Sequence, residues 1–304
     1  MKATRDSYGE ALVELGKKYE NLVVLDADLA GATKTVGFKS TYPERFFDMG
    51  IAEQDMMGTA AGLAIGGKVP FASTFAVFAT GRAYDQVRNS IAYPNLNVKI
   101  AATHAGITVG EDGATHQALE DISLMRSMPN MMVLSPSDDV QAHFLIEEAI
   151  RHDGPVYIRL SRPATEDIYT MNSKFEFGKG VQHGEGTDAA IFATGVTVSE
   201  AIKAQKELAK ENINVRVIDI HTIKPIDKDI IIKAAKETKK IITVEDHSVI
   251  GGLGTAVSEV LCEEWPTKVT KIGIQDEFGK SGKWNELMDY YKITAKYIIE
   301  EVKK

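Results

Sequence analysis

Apolar positions along the chain follow two periods, in short β-branched runs and in longer stretches with helical spacing. Residues 4–19 carry Ala11, Leu12 and Leu15 at helical spacing and precede the apolar run LVVLDAD, which predicts a helix followed by a buried strand. The same alternation predicts helices at 52–65 and 138–151 and strands at 98–104, 131–137 and 155–161. Such alternation is typical of α/β folds, so we expect largely parallel sheets flanked by helices.

The periodic pattern breaks between residues 163 and 187, where Gly, Thr and Asn are scattered without a sustained period. A second series follows, with strands predicted at 189–195, 214–220 and 240–246 and helices at 198–211 and 229–238. Because domain boundaries fall in irregular polar segments, two domains are predicted, at 1–165 and 188–304, joined by a linker at 166–187.

Composition narrows the class of protein. A hydrophobic fraction of 44% and a charged fraction of 26% are those of a soluble globular protein. The net charge of −8, without an arginine-rich tract, argues against a nucleic-acid partner. Residues 1–15 lack the apolar core of a signal peptide, and no apolar run approaches the ~20 residues that span a bilayer, so a cytoplasmic protein without a membrane partner is predicted. Cys262, in the apolar stretch AVSEVLCEEW, is expected to be buried.

The first stretch with chemical potential is DMGIAEQDMMGTAAGLAIGGKVP, in which Glu53 lies at a predicted helix start. A carboxylate there is favoured by the helix dipole, and taken alone it is usually an ordinary N-terminal charge. Small residues follow it, and a β-like segment then carries Phe75 and Phe78. Aromatic residues at this spacing usually pack in a core, so the stretch by itself leaves a structural role and a site both open.

A Gly-rich loop, THAGITVGEDGATHQALED, brings together His104, Glu111, Asp112 and His116. Histidines and carboxylates so close together indicate metal binding or acid–base chemistry. The spacing offers no third ligand for a structural zinc site, so no metal site is predicted in this chain. Two histidines on one Gly-rich loop after a strand favour a functional loop.

Two further stretches allow more than one interpretation. Arg159 and Arg162 end a predicted strand, where an arginine can bind a phosphate or form a solvated salt bridge. The segment EDHSVIGGLGTAVSE follows a strand and opens a helix, as a dinucleotide-binding fingerprint does. It lacks the third glycine of that fingerprint, so a tight strand-to-helix turn is favoured.

Taken in order, DMGIAEQDMMGTAAGLAIGG, STFAVF, GEDGATHQALEDISLMRSMPNM, IRLSRP and EDHSVIGGLGTAVSEVL resemble the transketolase family over essentially the whole chain. The resemblance implies a pyrimidine-binding, transketolase-like domain at 1–165 and a transketolase C-terminal domain at 188–304. The family's diphosphate–metal motif, a GDG followed by an Asn, is absent. The chain therefore resembles the C-terminal subunit of a split transketolase, and an N-terminal subunit with the GDG–Asn motif would be its partner.

The resemblance implies thiamine diphosphate as the cofactor, with Mg²⁺ or Ca²⁺ held mainly by the partner subunit. Glu53 matches the family glutamate that hydrogen-bonds the pyrimidine ring, and Phe75 and Phe78 match the aromatic residues packed against that ring. Asp28 matches an aspartate near the cofactor and the substrate channel. The family's third aromatic residue is replaced here by Gly81.

Substrate roles are implied for five residues. Arg5, His104 and Arg162 would contact the sugar phosphate, Asp112 would recognise a substrate hydroxyl, and His116 would assist at the reacting carbons. His104 and His116 are therefore predicted, beside the cofactor glutamate, as catalytic residues.

The resemblance implies transfer of a two-carbon ketol unit from a ketose phosphate to an aldose phosphate, as in the pentose phosphate pathway. The enzyme would be active only with its partner subunit, in an α2β2 heterotetramer. Three alternatives stay open: a half of a 1-deoxy-D-xylulose-5-phosphate synthase, towards which GRAYDQVR leans, a 2-oxoacid dehydrogenase E1 β-like subunit, and a non-catalytic scaffold subunit.

Overall fold

The structure, a computed structural model, describes residues 1–304. Up to Thr165 its elements are β1 (Lys2–Ala3), α1 (Thr4–Lys18), β2 (Leu22–Asp26), α2 (Ala30–Thr33), α3 (Val36–Thr41), β3 (Phe46–Asp48), α4 (Glu53–Ile65), β4 (Val69–Phe75), α5 (Tyr84–Gln86), β5 (Lys99–Thr103), α6 (Asp121–Arg126), β6 (Met132–Leu134), α7 (Asp139–Arg151), β7 (Val156–Arg159) and β8 (Ala164–Thr165). The rest are β9 (Val181–His183), β10 (Ala189–Ala193), α8 (Thr197–Ala209), β11 (Val215–Asp219), β12 (Thr222–Lys224), α9 (Lys228–Glu237), β13 (Ile241–Ser248), α10 (Leu253–Glu264), β14 (Val269–Ile274), α11 (Trp284–Tyr290) and α12 (Ala295–Lys303). None of these helices has the length and apolar composition needed to cross a bilayer.

The larger sheet has seven strands in the order β12-β6-β7-β5-β4-β2-β3. All its pairings are parallel except the one between β12 and β6. Strands β2, β4, β5 and β7 are buried along their whole length, because helices cover both faces of the sheet. The predicted α/β class, with largely parallel sheets flanked by helices, is confirmed.

The second sheet has five strands in the order β14-β13-β10-β11-β9, and only β9 is antiparallel to its neighbour. Strand β9 lies inside the segment 166–187, which is predicted as a linker, and it forms one edge of the second sheet. Strand β12 belongs to the other sheet: it follows β11 in the chain but pairs with β6 of the first sheet. The two sheets are therefore joined by more than one crossing of the chain.

The helices at 52–65 and 138–151 form almost as the pattern predicts. Helix α7 begins after Asp138, whose side chain accepts a hydrogen bond from the Gln141 backbone N–H and so caps the helix. The second oxygen of Asp138 accepts from the backbone N–H groups of Ile168 and Tyr169, 3.0 and 2.8 Å away. One carboxylate thus fixes both the start of α7 and the path of the chain towards the second sheet.

The stretch after β13 forms the tight strand-to-helix turn that the sequence favoured. A Cβ added at Gly252 would lie 2.0 Å from a carboxylate oxygen of Glu245, so the turn needs glycine there. The expectation for Cys262 is wrong: its side chain is exposed. Helix α10 buries Val257 and Leu261, and Cys262 lies one position off that stripe.

Candidate active site

Glu53 is the first residue of α4, and only 1% of its side chain is exposed. Arg82, 29 residues later, donates from Nη1 to both carboxylate oxygens, at 2.8 and 2.9 Å. The helix N-terminus and the guanidinium both place positive charge beside the carboxylate. About half of the Arg82 side chain is exposed, so the partner of this buried acid reaches to the surface.

The two phenylalanines lie beside this ion pair. The segment predicted to be β-like is extended only to Phe75, where β4 ends, and the chain then turns into a π-helical segment, Phe78–Arg82. This turn stacks the Phe75 and Phe78 rings with centroids 5.9 Å apart and planes within 10°. It also places the Arg82 guanidinium 4.3 Å from the Phe78 ring centroid, in cation–π contact.

Both loop histidines contact these aromatic residues. The His104 ring stacks on Phe75 with centroids 3.9 Å apart, and His116 meets Phe75 and Phe78 edge-on at 6.4 and 5.5 Å. The structure therefore brings the predicted glutamate, phenylalanines and histidines into one group. We call it the Glu53 cluster: Glu53, Phe75, Phe78, Arg82, His104 and His116.

The protonation state of His104 follows from its neighbours. Burial, together with the positive charges of Arg5 and Arg162, lowers the pKa of His104 to about 3, so the ring is neutral at physiological pH. Its Nε2 is 3.0 Å from Arg5 Nη1 and its Nδ1 is 2.9 Å from Thr103 Oγ1. Because a guanidinium can only donate, Nε2 accepts and Nδ1 carries the proton.

The two predicted phosphate-binding arginines, Arg5 and Arg162, line the same open cavity. The cavity has a volume of about 520 Å³, and its lining includes Arg5, Arg162, Lys203 and Trp284. Arg5 also donates to the Ala32 carbonyl at 3.1 Å, while its buried Nε has no hydrogen-bond partner. Lys203 is ion-paired with Glu166 and Glu200 of the same lining, at 2.8 and 2.7 Å, so Arg5 and Arg162 are the cations that the cavity offers to an anionic group.

Arg162 is also in contact with the Gly-rich loop. Its Nη1 donates to the Val109 carbonyl and lies 3.4 Å from a Glu111 carboxylate oxygen and 3.9 Å from one of Asp112. Asp112 is exposed and joins the site through this arginine. Carboxylates this close to the cavity would repel an anion unless they turn away from it.

Asp28 is a predicted site residue for which the structure shows no side-chain hydrogen bond or ion pair with the other predicted residues. It is exposed, has a left-handed backbone with φ of 61°, and makes no side-chain hydrogen bond or ion pair. The neighbouring Asp26 is buried and accepts from Thr33 and Thr35, so it holds the turn after β2. The assigned role of Asp28 stays a prediction.

Sequence reasoning missed Arg82 as the partner of Glu53. The residue stands in GRAYDQVR, a motif that by itself indicates only a likeness to 1-deoxy-D-xylulose-5-phosphate synthase. Sequence spacing could not reveal the contact, since it depends on the π-helical turn after Phe75. The sequence offers one indication of the contact, which is that Arg82 follows Phe75 and Phe78 by only a few residues.

The question left open for Arg159 is answered by burial. Its Nε donates to Asp121 at 2.8 Å, and Tyr157 donates to the same carboxylate oxygen at 2.7 Å. Arg159 Nη2 also donates to the Asp246 carbonyl at 2.7 Å, across the boundary between the two sheets. Arg159 therefore belongs to a buried group that we call the interdomain cluster: Asp121, Tyr157, Arg159, Glu245, Asp246 and His247.

Two family models match nearly the whole chain. Residues 1–167 match the transketolase pyrimidine-binding domain, and residues 178–298 match the transketolase C-terminal domain. A Methanocaldococcus jannaschii protein described as a transketolase C-terminal section is 53% identical over 310 residues, covering 100% of this chain and 97% of that protein. The 6-deoxy-6-sulfo-D-fructose transketolase subunit SqwH of a Clostridium species is 42% identical over 97% of this chain and 92% of its own length.

Longer relatives extend beyond this chain. Human transketolase is 40% identical over 99% of this chain, which corresponds to 48% of the human protein. Among solved structures, a split gene transketolase described as an inactive β4 tetramer superposes with a TM-score of 0.93, at 50% identity over 100% of this chain and 98% of that one. The Campylobacter jejuni transketolase gives a TM-score of 0.83 at 25% identity, covering 99% of this chain and 46% of its own.

Proposed function

The chain belongs to the transketolase family, and we propose that with an N-terminal subunit it transfers a two-carbon ketol unit from a ketose phosphate to an aldose phosphate. The observation that supports this most strongly is the continuity of the site. His104 stacks on Phe75 in the Glu53 cluster and is hydrogen-bonded to Arg5, which lines the cavity. The proposed cofactor position and the proposed anion position are therefore adjacent.

Thiamine diphosphate is the cofactor that this reaction requires, and the Glu53 cluster fits its pyrimidine half. The buried carboxylate already binds a flat nitrogen donor, the Arg82 guanidinium, whose face lies on Phe78. An aminopyrimidine is flat, bears nitrogen groups at its edge and stacks on aromatic faces, so the same groups suit it. When bound, thiamine diphosphate supplies a nucleophilic carbon and an electron sink for the two-carbon unit.

Glu53 would hold a proton at the pyrimidine ring nitrogen by accepting a hydrogen bond from it. Its two oxygens offer about four lone-pair positions, so they can accept from Arg82 and from the ring together. Burial keeps water from competing for the carboxylate. The catalytic contribution of Glu53 is thus a charge placed where the ring gains a proton.

The loop histidines would serve the sugar. His104 is neutral, and its Nε2 accepts a hydrogen bond from Arg5, so the ring orients the guanidinium, which offers an anionic group both charge and hydrogen-bond donors. The Nδ1 of His116 is 2.9 Å from Thr115 Oγ1, which leaves Nε2 to exchange a proton with a substrate hydroxyl near the reacting carbons.

The diphosphate and the divalent cation, Mg²⁺ or Ca²⁺, would be held by the partner subunit. In this chain no group of three or more His, Cys, Asp or Glu side chains is placed to hold a metal ion. The similar split transketolase is inactive as a β4 tetramer, which supports the proposal that a C-terminal section needs its partner for turnover. We therefore propose an α2β2 assembly.

Co-expression with an N-terminal chain that carries the GDG–Asn motif tests the proposal. The purified complex is assayed with xylulose 5-phosphate plus ribose 5-phosphate, and separately with pyruvate plus glyceraldehyde 3-phosphate. Ketol transfer in the first assay is the expected result. Release of carbon dioxide from pyruvate, without ketol transfer, would instead identify a deoxyxylulose-phosphate synthase.

Two further assays sharpen the result. The isolated chain should bind thiamine diphosphate weakly and show no turnover. Tight Mg²⁺-dependent binding measured by calorimetry would contradict a site that is divided between two subunits.

The second assay uses another donor sugar. Because one relative is named for 6-deoxy-6-sulfo-D-fructose, that ketose is tested beside the ketose phosphate. Arg5 and Arg162 can bind a sulfonate as well as a phosphate, and the ratio of kcat/KM for the two donors decides which anion is preferred.

A further inference from the structure

The Gly-rich loop that carries both histidines is attached to the second half of the chain at several points. Gln117 Nε2 donates to the Lys280 carbonyl at 2.9 Å, Ser281 Oγ donates to the Glu111 carbonyl at 2.6 Å, and the Ser248 N–H donates to the Leu119 carbonyl at 2.8 Å. The loop follows β5 of the first sheet, but its conformation is fixed in part by residues of the second domain.

Asp246 makes the most buried of these attachments. Its Oδ1 accepts the Ile107 backbone N–H at 2.9 Å and its Oδ2 accepts the Thr108 hydroxyl at 3.2 Å, with all three residues at most 2% exposed. A Cβ added at Gly106 would lie 2.1 Å from Asp246 Oδ2, so only glycine lets the carboxylate approach. Gly106 also has φ of +73°, which favours glycine independently.

His104 lies just before these contacts and has a strained backbone. Its φ is +57°, in the left-handed region that residues other than glycine rarely adopt. Such a conformation persists only where the surrounding structure determines it. Phe75 and Arg5 hold the ring, and the backbone is continuous with Gly106 and Ile107, which Asp246 fixes.

We propose that Asp246 is a positioning residue for substrate binding: it holds the loop so that His104 keeps its backbone conformation and its ring stays between Phe75 and Arg5. This inference rests on the proposed function for its kinetic consequence, but the contact itself does not. The second domain thereby contributes to a site whose predicted cofactor and substrate residues all lie before it in the chain.

The contact is tested first in the isolated chain, by hydrogen exchange of peptides that cover residues 104–118. In Asp246→Ala the Ile107 N–H loses its acceptor, so exchange of this segment should be about tenfold faster or more. Asp246→Asn should restore much of the protection, because its amide oxygen can still accept from Ile107. If Asp246→Ala does not fold, Thr108→Val removes one hydrogen bond of the same carboxylate and should accelerate exchange to a smaller extent.

The kinetic arm uses the reconstituted complex. Asp246→Ala should raise KM for ribose 5-phosphate about tenfold and change kcat less than about threefold, because the loss falls on binding of the phosphosugar. The matched control is Asp219→Ala, which removes a buried carboxylate that accepts from Ser137, Gln141 and Tyr169 and does not contact the loop. The control should leave KM at its wild-type value.

Three results would overturn the inference: unchanged exchange in Asp246→Ala, unchanged KM in an active variant complex, or an equal rise of KM in Asp219→Ala. The failure of the proposed function would look different. If the wild-type complex transferred no ketol unit, that function would be wrong, while the exchange comparison would still decide whether Asp246 holds the loop.

Discussion

The Glu53 cluster and the interdomain cluster contain the same kinds of side chain in different surroundings. Each has a glutamate beside a helix start, an arginine, a histidine and an aromatic ring. Every member of the interdomain cluster is buried, whereas Arg82 and His116 connect the Glu53 cluster to solvent. Residue type alone therefore does not distinguish a site from a structural core; access does.

The two glutamates make the comparison sharper. Glu245 accepts the backbone N–H groups of Leu253 and Gly254, at 2.6 and 2.8 Å, so fixed parts of α10 satisfy it. Glu53 makes no such backbone contact and is held by Arg82, a side chain with half its surface in solvent. A carboxylate held by a movable side chain can accept a new partner, and one held by the backbone cannot.

The largest expected effect separates these two acids. In the reconstituted complex, Glu53→Gln should lower kcat for ketol transfer by about 10³- to 10⁴-fold, because a neutral amide cannot stabilise a proton on the pyrimidine ring. Folding should be preserved, since the freed Arg82 reaches water. Steady-state kinetics and circular dichroism of the same preparation measure the two properties.

The control for this prediction is Glu245→Gln. Its carboxylate lies away from the cavity and the aromatic pair, so kcat should stay within about threefold of wild type. An equal loss of activity in both variants, or wild-type turnover in Glu53→Gln, would contradict the assignment of Glu53 to the active site and of Glu245 to the structural core.

The second prediction concerns the arginine of the interdomain cluster. Arg159→Ala leaves Asp121 buried and without its cation, so the free energy of unfolding should fall by about 3 kcal/mol or more. Denaturant unfolding of the isolated chain measures this loss, with Arg162→Ala as the matched control because Arg162 is partly exposed. An equal loss in both variants would contradict the assignment of the two arginines to different environments.

These two arginines also mark the limit of prediction from sequence. Periodicity was sufficient for α1, α4 and α7 and for the largely parallel character of the first sheet, because these follow from local hydrophobic spacing. Two residues separate Arg159 from Arg162 at one strand end, and no pattern indicates which of the arginines contacts Asp121. That contact depends on α6, which lies more than 30 residues earlier in the chain.

The Glu53 site shows the same limit in another form. The phenylalanines and histidines could be selected from motifs, and the structure brings them together. The Arg82 contact could not, because a π-helical turn adds a residue to the usual helical spacing. The pairing of β12 with the first sheet was likewise hidden, since three residues of extended chain carry no signal of which sheet they join.

The third prediction uses the titration of Glu245. Burial raises its pKa from 4.5 to about 7, so the folded protein holds a proton that the unfolded chain releases between these values. This contribution to stability is fully present below pH 4.5 and is lost as pH rises through 7, which amounts to roughly 3 kcal/mol. His247, 3.7 Å away, has its pKa lowered to about 4 by burial and stays neutral over most of this range.

Glu245→Gln removes that titration, so its unfolding free energy relative to wild type should rise as the pH passes from 4.5 to above 7. Denaturant unfolding at several pH values measures the difference. A difference that is constant with pH would mean that Glu245 keeps an ordinary pKa in the folded chain.

The smallest expected effect returns to the arginine beside the cavity. In the reconstituted complex, Arg162→Ala should raise KM about tenfold for phosphorylated acceptors, because one charged contact to a phosphate is worth ~1.4 kcal/mol or somewhat more. An unphosphorylated aldose should show little change, and that substrate pair serves as the internal control. Arg162 also donates to the Val109 carbonyl, so a purely structural role would raise KM for both acceptors alike. A selective rise would place Arg162 with the site and Arg159 with the core, although both lie at the end of the same strand.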